Sequence, residues 1–140
     1  MRHLLLGMLL CHPAASAWAA SPEETFSEGV ALYEAQKYEG AIVQFENVVA
    51  LAPQSSEYHH WLGKSYGRVA EHAVWFRAFG LARRTRAEFE TAVQLDDKNV
   101  EALKDLMEYY RQAPAFLGGS AKKAAAIEQR LKELPAADAQ

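Results

Sequence analysis

Gly29, Tyr38, Ala41, Phe45, Val48 and Pro53 are set out at fixed intervals within residues 22–55, and two later stretches repeat part of that pattern. An internal repeat of this length constrains a fold more than any composition does. Each copy is one supersecondary unit that buries its apolar face only against its neighbour. The second copy opens at Ser56 with Leu62, Gly63 and Tyr66 and closes with Phe89, Ala92 and Asn99. From glycine to phenylalanine is 16 positions in the first copy and 26 in the second, so ten residues are inserted there. Asp97 takes the place of the proline and Thr85 that of Ala41. A third copy runs from Val100 with Leu106 and Tyr110 in register, Met107 in the glycine position, and a loop, Ala113 to Ser120, before its last segment.

Apolar residues keep helical spacing in six segments, and nothing alternates as a strand does. Phe26, Gly29, Val30 and Tyr33 share one face, and Ala41, Phe45, Val48 and Val49 the next. The later faces are Tyr58, Leu62, Tyr66 and Val69; Phe89, Ala92 and Val93; Leu103, Leu106, Met107 and Tyr110; and Ala124, Ile127, Leu131 and Leu134. Six amphipathic helices predict a stack in which each buries one side. Ser21-Pro22-Glu23-Glu24 offers a cap, a first-turn proline and a capping-box glutamate, and Pro53 ends the second segment. Ser55 or Ser56, Asn99 and Ser120 are positioned to cap the third, fifth and sixth. Gly29, Ala41 and Gly63 sit where larger side chains would hold paired helices apart, so bulk there costs about 1 to 3 kcal/mol.

The pattern resembles the tetratricopeptide repeat, with its period of ~34 residues, small residues at the helix crossing, aromatics between helices and a proline at the exit. The resemblance covers about residues 22 to 135, in repeats at about 22–55, 56–99 with the ten-residue insertion, and 100–135. It implies an all-α fold, a right-handed superhelical stack of antiparallel helix pairs, that holds other proteins and performs no catalysis. The insertion and the Phe-Leu-Gly-Gly loop together are similar to an exported bacterial subgroup of such proteins without established activity.

Residues 1–20 have the layout of a secretory signal: Arg2 and His3, an apolar run from Leu4 to Leu10, then Ala15-Ser16-Ala17-Trp18-Ala19-Ala20. The run is too short to span a bilayer. It predicts export to the periplasm or beyond, with cleavage after Ala17, Ala19 or Ala20. Leu10 stands where a lipoprotein signal needs a small residue before Cys11, which argues against lipidation. Cleavage removes the only cysteine, so the exported chain relies on packing without a disulfide. The whole chain has a net charge of −3, and losing Arg2 makes it −4. That balance, with no basic tail or zinc-finger spacing, points away from nucleic acid. Residues 136–140 are a short polar tail. Three repeats lie near the lower limit for such arrays, so an uncapped end would favour a homodimer.

The curvature of a repeat array leaves a groove lined by the first helix of each pair. The family register puts Phe26, Val30 and Tyr33 there from the first repeat, His60, Lys64 and Arg68 from the second, and Lys104, Glu108 and Arg111 from the third. His60, Lys64 and Arg68 recur every four residues and form one strip along a helix. The expectation is a groove apolar at one end and basic at the other, suited to a peptide with a hydrophobic anchor and a carboxylate. The plainer reading is a solvated charged face. Some relatives clamp a C-terminal carboxylate with lysine and asparagine on the first helix; Phe26 and Val30 replace them here.

Within the insertion, Trp75, Phe76 and Phe79 lie close to Arg77, Arg83, Arg84 and Arg86, the composition of interface anchors. Two roles suit it, docking of a partner or contact with an anionic membrane. A third reading, favoured because exported proteins seldom leave three large aromatics bare, has them lengthen the third helix and pack over their own repeat. Phe116-Leu117-Gly118-Gly119-Ser120 lacks P-loop spacing and reads as a turn, with Phe116 and Leu117 plugging the core.

Histidines offer the only route to a metal or an enzyme. His59 and His60 diverge by about 100° on a helix, and His60 and Glu71 are three turns, some 16 Å, apart. Neither pair suits a shared ion. Without H-E-x-x-H or a cysteine nucleophile beyond residue 20, no catalytic residue, metal or cofactor is expected.

Overall fold

The structure is a computed structural model that describes residues 20–135. The expected leader lies outside the described residues except for Ala20, and the 136–140 tail lies outside them altogether.

Six α-helices follow one another: α1 (Pro22–Glu34), α2 (Tyr38–Leu51), α3 (Ser56–Ala70), α4 (Trp75–Leu95), α5 (Val100–Gln112) and α6 (Ala121–Glu133). A single 3₁₀ turn, Ala115–Leu117, precedes α6, and no strand occurs among the described residues. The starts of α1, α3, α5 and α6 are fixed by side chains that satisfy free amides of the first turn. At α1 the Ser21 hydroxyl accepts from the Glu24 amide at 3.1 Å, while the Glu24 carboxylate accepts from the Ser21 amide at 3.0 Å, a complete capping box. Ser55, Asn99 and Ser120 cap α3, α5 and α6 in the same way, as the sequence predicts. Ala52, the residue before Pro53, leaves helical geometry at φ −137° and ψ 72° and ends α2.

Each helix packs on the next in the chain, and α1 also reaches α3, so the molecule is a stack of three antiparallel hairpins. Two hairpins are keyed alike. A methyl group on Gly29 would lie 2.6 Å from the Phe45 ring, and one on Gly63 2.6 Å from the Phe89 ring. Each glycine therefore lets one ring of the second helix come against the backbone of the first. Phe45 and Ala41 are fully buried, and with Val48, Leu62, Tyr66, Val69 and Leu81 they form the core between the first two repeats. Phe89, Leu106, Tyr110 and Ala124 form a second core towards the C-terminus. The repeats are also bonded across their boundaries. Tyr66 donates to Glu46 and Tyr110 to Glu90, one repeat later. Within the second repeat, Asn99 donates to the Ser56 hydroxyl, which donates to the Ala92 carbonyl.

The insertion does not have the form expected of it. It mainly extends the second helix of its pair, α4 having 21 residues against 14 in α2, while α3 has 15 against 13 in α1. Trp75, Phe76 and Phe79 begin α4 and do not lengthen α3. They are not packed away either, because Trp75 is 71% and Phe76 66% exposed. Sequence periodicity cannot foresee this, since the extension runs past the end of the neighbouring hairpin and meets no covering helix. The loop before α6 needs a second correction. Leu117 is buried, whereas Phe116 points outward.

Candidate functional site

Small residues create a cleft on the side of the stack lined by α3 and α5. Tyr33 and Arg111 hold the same repeat position, four residues after Gly29 and Met107, and the corresponding residue of α3 is Gly67. Lacking a side chain there, α3 leaves a cleft of about 510 Å³ between α3, α4 and α5. Gly67, Ala70, Ala78 and Ala82 line it with little bulk, and Phe79, Phe89 and Leu117 supply apolar surface. Tyr33 and Tyr109 also line it, and burial raises both phenols above the usual tyrosine range, so they face the cleft as neutral hydroxyls.

The charges of the cleft are mixed. Lys64 and Arg68 line it together with Glu71, Asp105 and Glu108. The Lys64 ammonium sits 3.9 Å from the centre of the Trp61 ring and 5.1 Å from that of Tyr33, a cation held over two aromatic faces. Arg68 is bonded to Glu71 at 2.8 Å and to the Tyr38 hydroxyl at 3.4 Å, and the Tyr38 bond, followed by the Glu71 charge, raises its pKa. These contacts set two cations in defined positions.

Of the groove residues expected from the sequence, Tyr33, Lys64 and Arg68 come together at this cleft, with Glu108 opposite. The others do not join them. Phe26 lies among Phe45, Tyr58 and Trp61, with ring centres 4.8 to 6.2 Å apart, and Val30 packs on the first core. His60 is buried and bonded through Nε2 to Asp105 at 2.7 Å, so it ties α3 to α5 and is not open to a ligand. Lys104 pairs with Glu101 on its own helix and Arg111 with Glu128 on α6, each away from the cleft. The basic strip is therefore shorter than its sequence spacing indicates, and acidic residues face it. Sequence reasoning missed Gly67, Asp105 and Trp61. The signal for Gly67 was a small residue where both neighbouring repeats carry a large one.

A second surface adjoins the cleft. Trp75 stands edge-on to Phe76 and Phe79, each at 5.8 Å between ring centres, and Phe79 stands edge-on to Phe116 at 5.5 Å. Four rings thus form a chain across α4 and the loop before α6, and Phe79 belongs to both the patch and the cleft. The loop that presents Phe116 is tightly held. The Leu117 carbonyl accepts from Arg86 at 3.1 Å and from the Tyr109 hydroxyl at 2.9 Å, and the Ser120 amide donates to Tyr110 at 2.8 Å. Gly118 takes φ +93°, where glycine is favoured. Of the nearby arginines, Arg84 lies over the Tyr66 ring, and Arg83 is exposed with no ion pair among the described residues. Nothing among the described residues gathers three His, Cys, Asp or Glu side chains in a metal-binding arrangement. No described helix is long and apolar enough to cross a membrane.

Residues 29–69 match the family model described as TPR repeat. Among solved structures the chain is similar to the Arabidopsis OM64 TPR domain, at 18% identity and a TM-score of 0.51, over 80% of this chain and 94% of that one. No curated protein sequence matches the chain. The matched segment runs from the Gly29 crossing through α2 into α3, and the fold is that of a tetratricopeptide-repeat-like helical solenoid.

Proposed function

We propose that this protein is a non-enzymatic interaction module that holds a segment of another protein in the cleft between α3 and α5. Repeats of this kind generally serve as protein-protein interaction modules. The observation that carries the reading is the cleft itself, about 510 Å³ in volume, floored by Gly67, Ala70, Ala78 and Ala82 and open beside Phe79. Such a site accepts an apolar anchor residue, while Lys64 and Arg68 on one side and Asp105 and Glu108 on the other fix the direction of the bound chain by its charges. The partner segment therefore carries both signs of charge around its anchor, and a lone carboxylate is not enough. The signal-like layout of residues 1–20 supports the further reading that the module works outside the cytoplasm, in the periplasm or beyond.

Peptides selected from a random display library on the purified chain test the reading. They should share an apolar residue flanked by charges, lose binding when Gly67→Trp fills the cleft, and weaken when Lys64→Glu and Arg68→Glu are combined. Selected peptides that bind Gly67→Trp as well as the original chain would place the interaction elsewhere.

A further inference from the structure

In a stack of antiparallel hairpins, the connections from first to second helix all emerge along one edge. Here these are residues 35–37, 71–74 and 113–120. The bare rings Trp75, Phe76 and Phe116 belong to that edge, together with Val74, which is 58% exposed. The edge is not level. The seven residues by which α4 exceeds α2 amount to about 10 Å of helix, so the aromatic tip stands proud of the first hairpin. It is rigid as well, because Trp75, Phe76 and Phe79 sit on helical backbone and Phe116 on the hydrogen-bonded loop.

The charge follows the same geometry. From Val74 to Ala87 the chain has four arginines and no acidic residue. Lys37, Arg77, Lys122 and Lys123 are exposed on this edge, and none forms an ion pair among the described residues. Acidic residues near them are Glu34, Glu39, Glu71, which is paired with Arg68, and Glu90, which shares a cavity with Lys123. The opposite edge carries Glu23, Glu24, Glu57, Asp96, Asp97 and Glu101, with Lys98 and Lys132 among them and with Asp97 paired to Arg130 and Glu101 to Lys104. The two edges thus differ in charge balance, the aromatic edge having an excess of cations and the opposite edge a modest excess of acids.

We propose that the Trp75 edge docks this protein on an anionic lipid surface. Trp75, Phe76 and Phe116 would enter the boundary between headgroups and acyl chains, while Arg77, Lys122 and Lys123 pair with lipid phosphates. The acidic edge then faces away from the like-charged surface, so one orientation is preferred. Trp75 and Phe76 do not line the α3–α5 cleft, so failure of this proposal is separable from failure of the peptide-binding reading.

Co-sedimentation with vesicles of phosphatidylcholine alone and of phosphatidylcholine mixed equally with phosphatidylglycerol tests it. The chain should pellet with the mixed vesicles, weaken as salt is raised, and remain in solution with phosphatidylcholine alone. Replacing Trp75 and Phe76 together by serine should lower pelleting about tenfold or more, and Arg77→Glu with Lys122→Glu should do the same. Circular dichroism of each variant checks that these exposed positions leave the helices intact. Absence of pelleting at low salt, equal pelleting on neutral vesicles, or an unaffected Trp75→Ser, Phe76→Ser variant each overturns the proposal. So does a concentration-dependent dimer that forms without lipid and is abolished by the same two serines, which would assign the patch to a second copy of the chain.

Discussion

The Tyr66 hydroxyl donates to the Glu46 carboxylate at 2.5 Å, bonding α3 of the second repeat to α2 of the first. Tyr110 and Glu90 form the same bond at 2.6 Å between the third repeat and the second. Tyr66 and Tyr110 are both buried, so each bond seats a phenol that would otherwise be left unsatisfied at a repeat boundary.

Burial first, and then the bond to Glu46, push the Tyr66 pKa up to about 12, and the same causes raise that of Tyr110. A raised pKa means that the folded chain keeps a proton the unfolded chain releases at about pH 10, so this contribution is complete below that pH and is lost as pH rises towards 12. The thermal midpoint should therefore fall over that interval, and Tyr66→Phe should make the fall shallower. At neutral pH the variant should cost about 1 kcal/mol, because Glu46 is exposed and recovers water. Thermal melts followed by circular dichroism across the alkaline range check both outcomes.

Gly63→Ala and Gly80→Ala should have opposite signs. A methyl on Gly63 meets the Phe89 ring at 2.6 Å and the Glu88 side chain at 3.2 Å, and overpacking there costs about 1 to 3 kcal/mol. A methyl on Gly80 meets nothing within 4 Å, and α4 gains about 0.5 to 1 kcal/mol from the better helix former. Urea unfolding of the two variants reads the difference directly.

Asp105→Ala leaves the buried His60 ring without its partner on α5, at a cost of about 1 to 2 kcal/mol. The loss should be regional, because His60 joins the second repeat to the third. Hydrogen exchange should quicken in α5 and α6 while the amides of α1 and α2 keep their protection. Uniform acceleration throughout the chain would refute the assignment of this bond to the repeat boundary.

Gly118→Ala should strain the loop that presents Phe116. Its φ of +93° disfavours any side chain, and the added methyl would overlap the Arg86 guanidinium. The backbone term alone is about 1 to 2 kcal/mol. Faster exchange of the Ser120 amide, which is bonded to the Tyr110 carbonyl, should report the change.

The repeat pattern made most of the fold legible. Its helices, their caps at Ser21, Ser55, Asn99 and Ser120, and the glycine positions that admit Phe45 and Phe89 are set by residues close in sequence or one repeat apart. Such short-range rules need no knowledge of the rest of the molecule. The interaction surface was legible only in part. Lys64 and Arg68 could be placed on one face of a helix by counting, but whether His60 would share that face with them or turn to Asp105 depended on how close α5 comes to α3.

The same reason divides the rest of the molecule. Three adjacent aromatics and a pair of glycines can be read from the chain, but whether they are covered depends on which element lies opposite. Periodicity in one segment carries no information about the end of another. The sequence by itself determined the stacked hairpins and the small residues that let them close. Only the tertiary arrangement decided that α4 would outrun its neighbours, that Trp75, Phe76 and Phe116 would stay bare, and that Gly67 would open a cleft, because each of these depends on the distance between elements that are not adjacent in the chain.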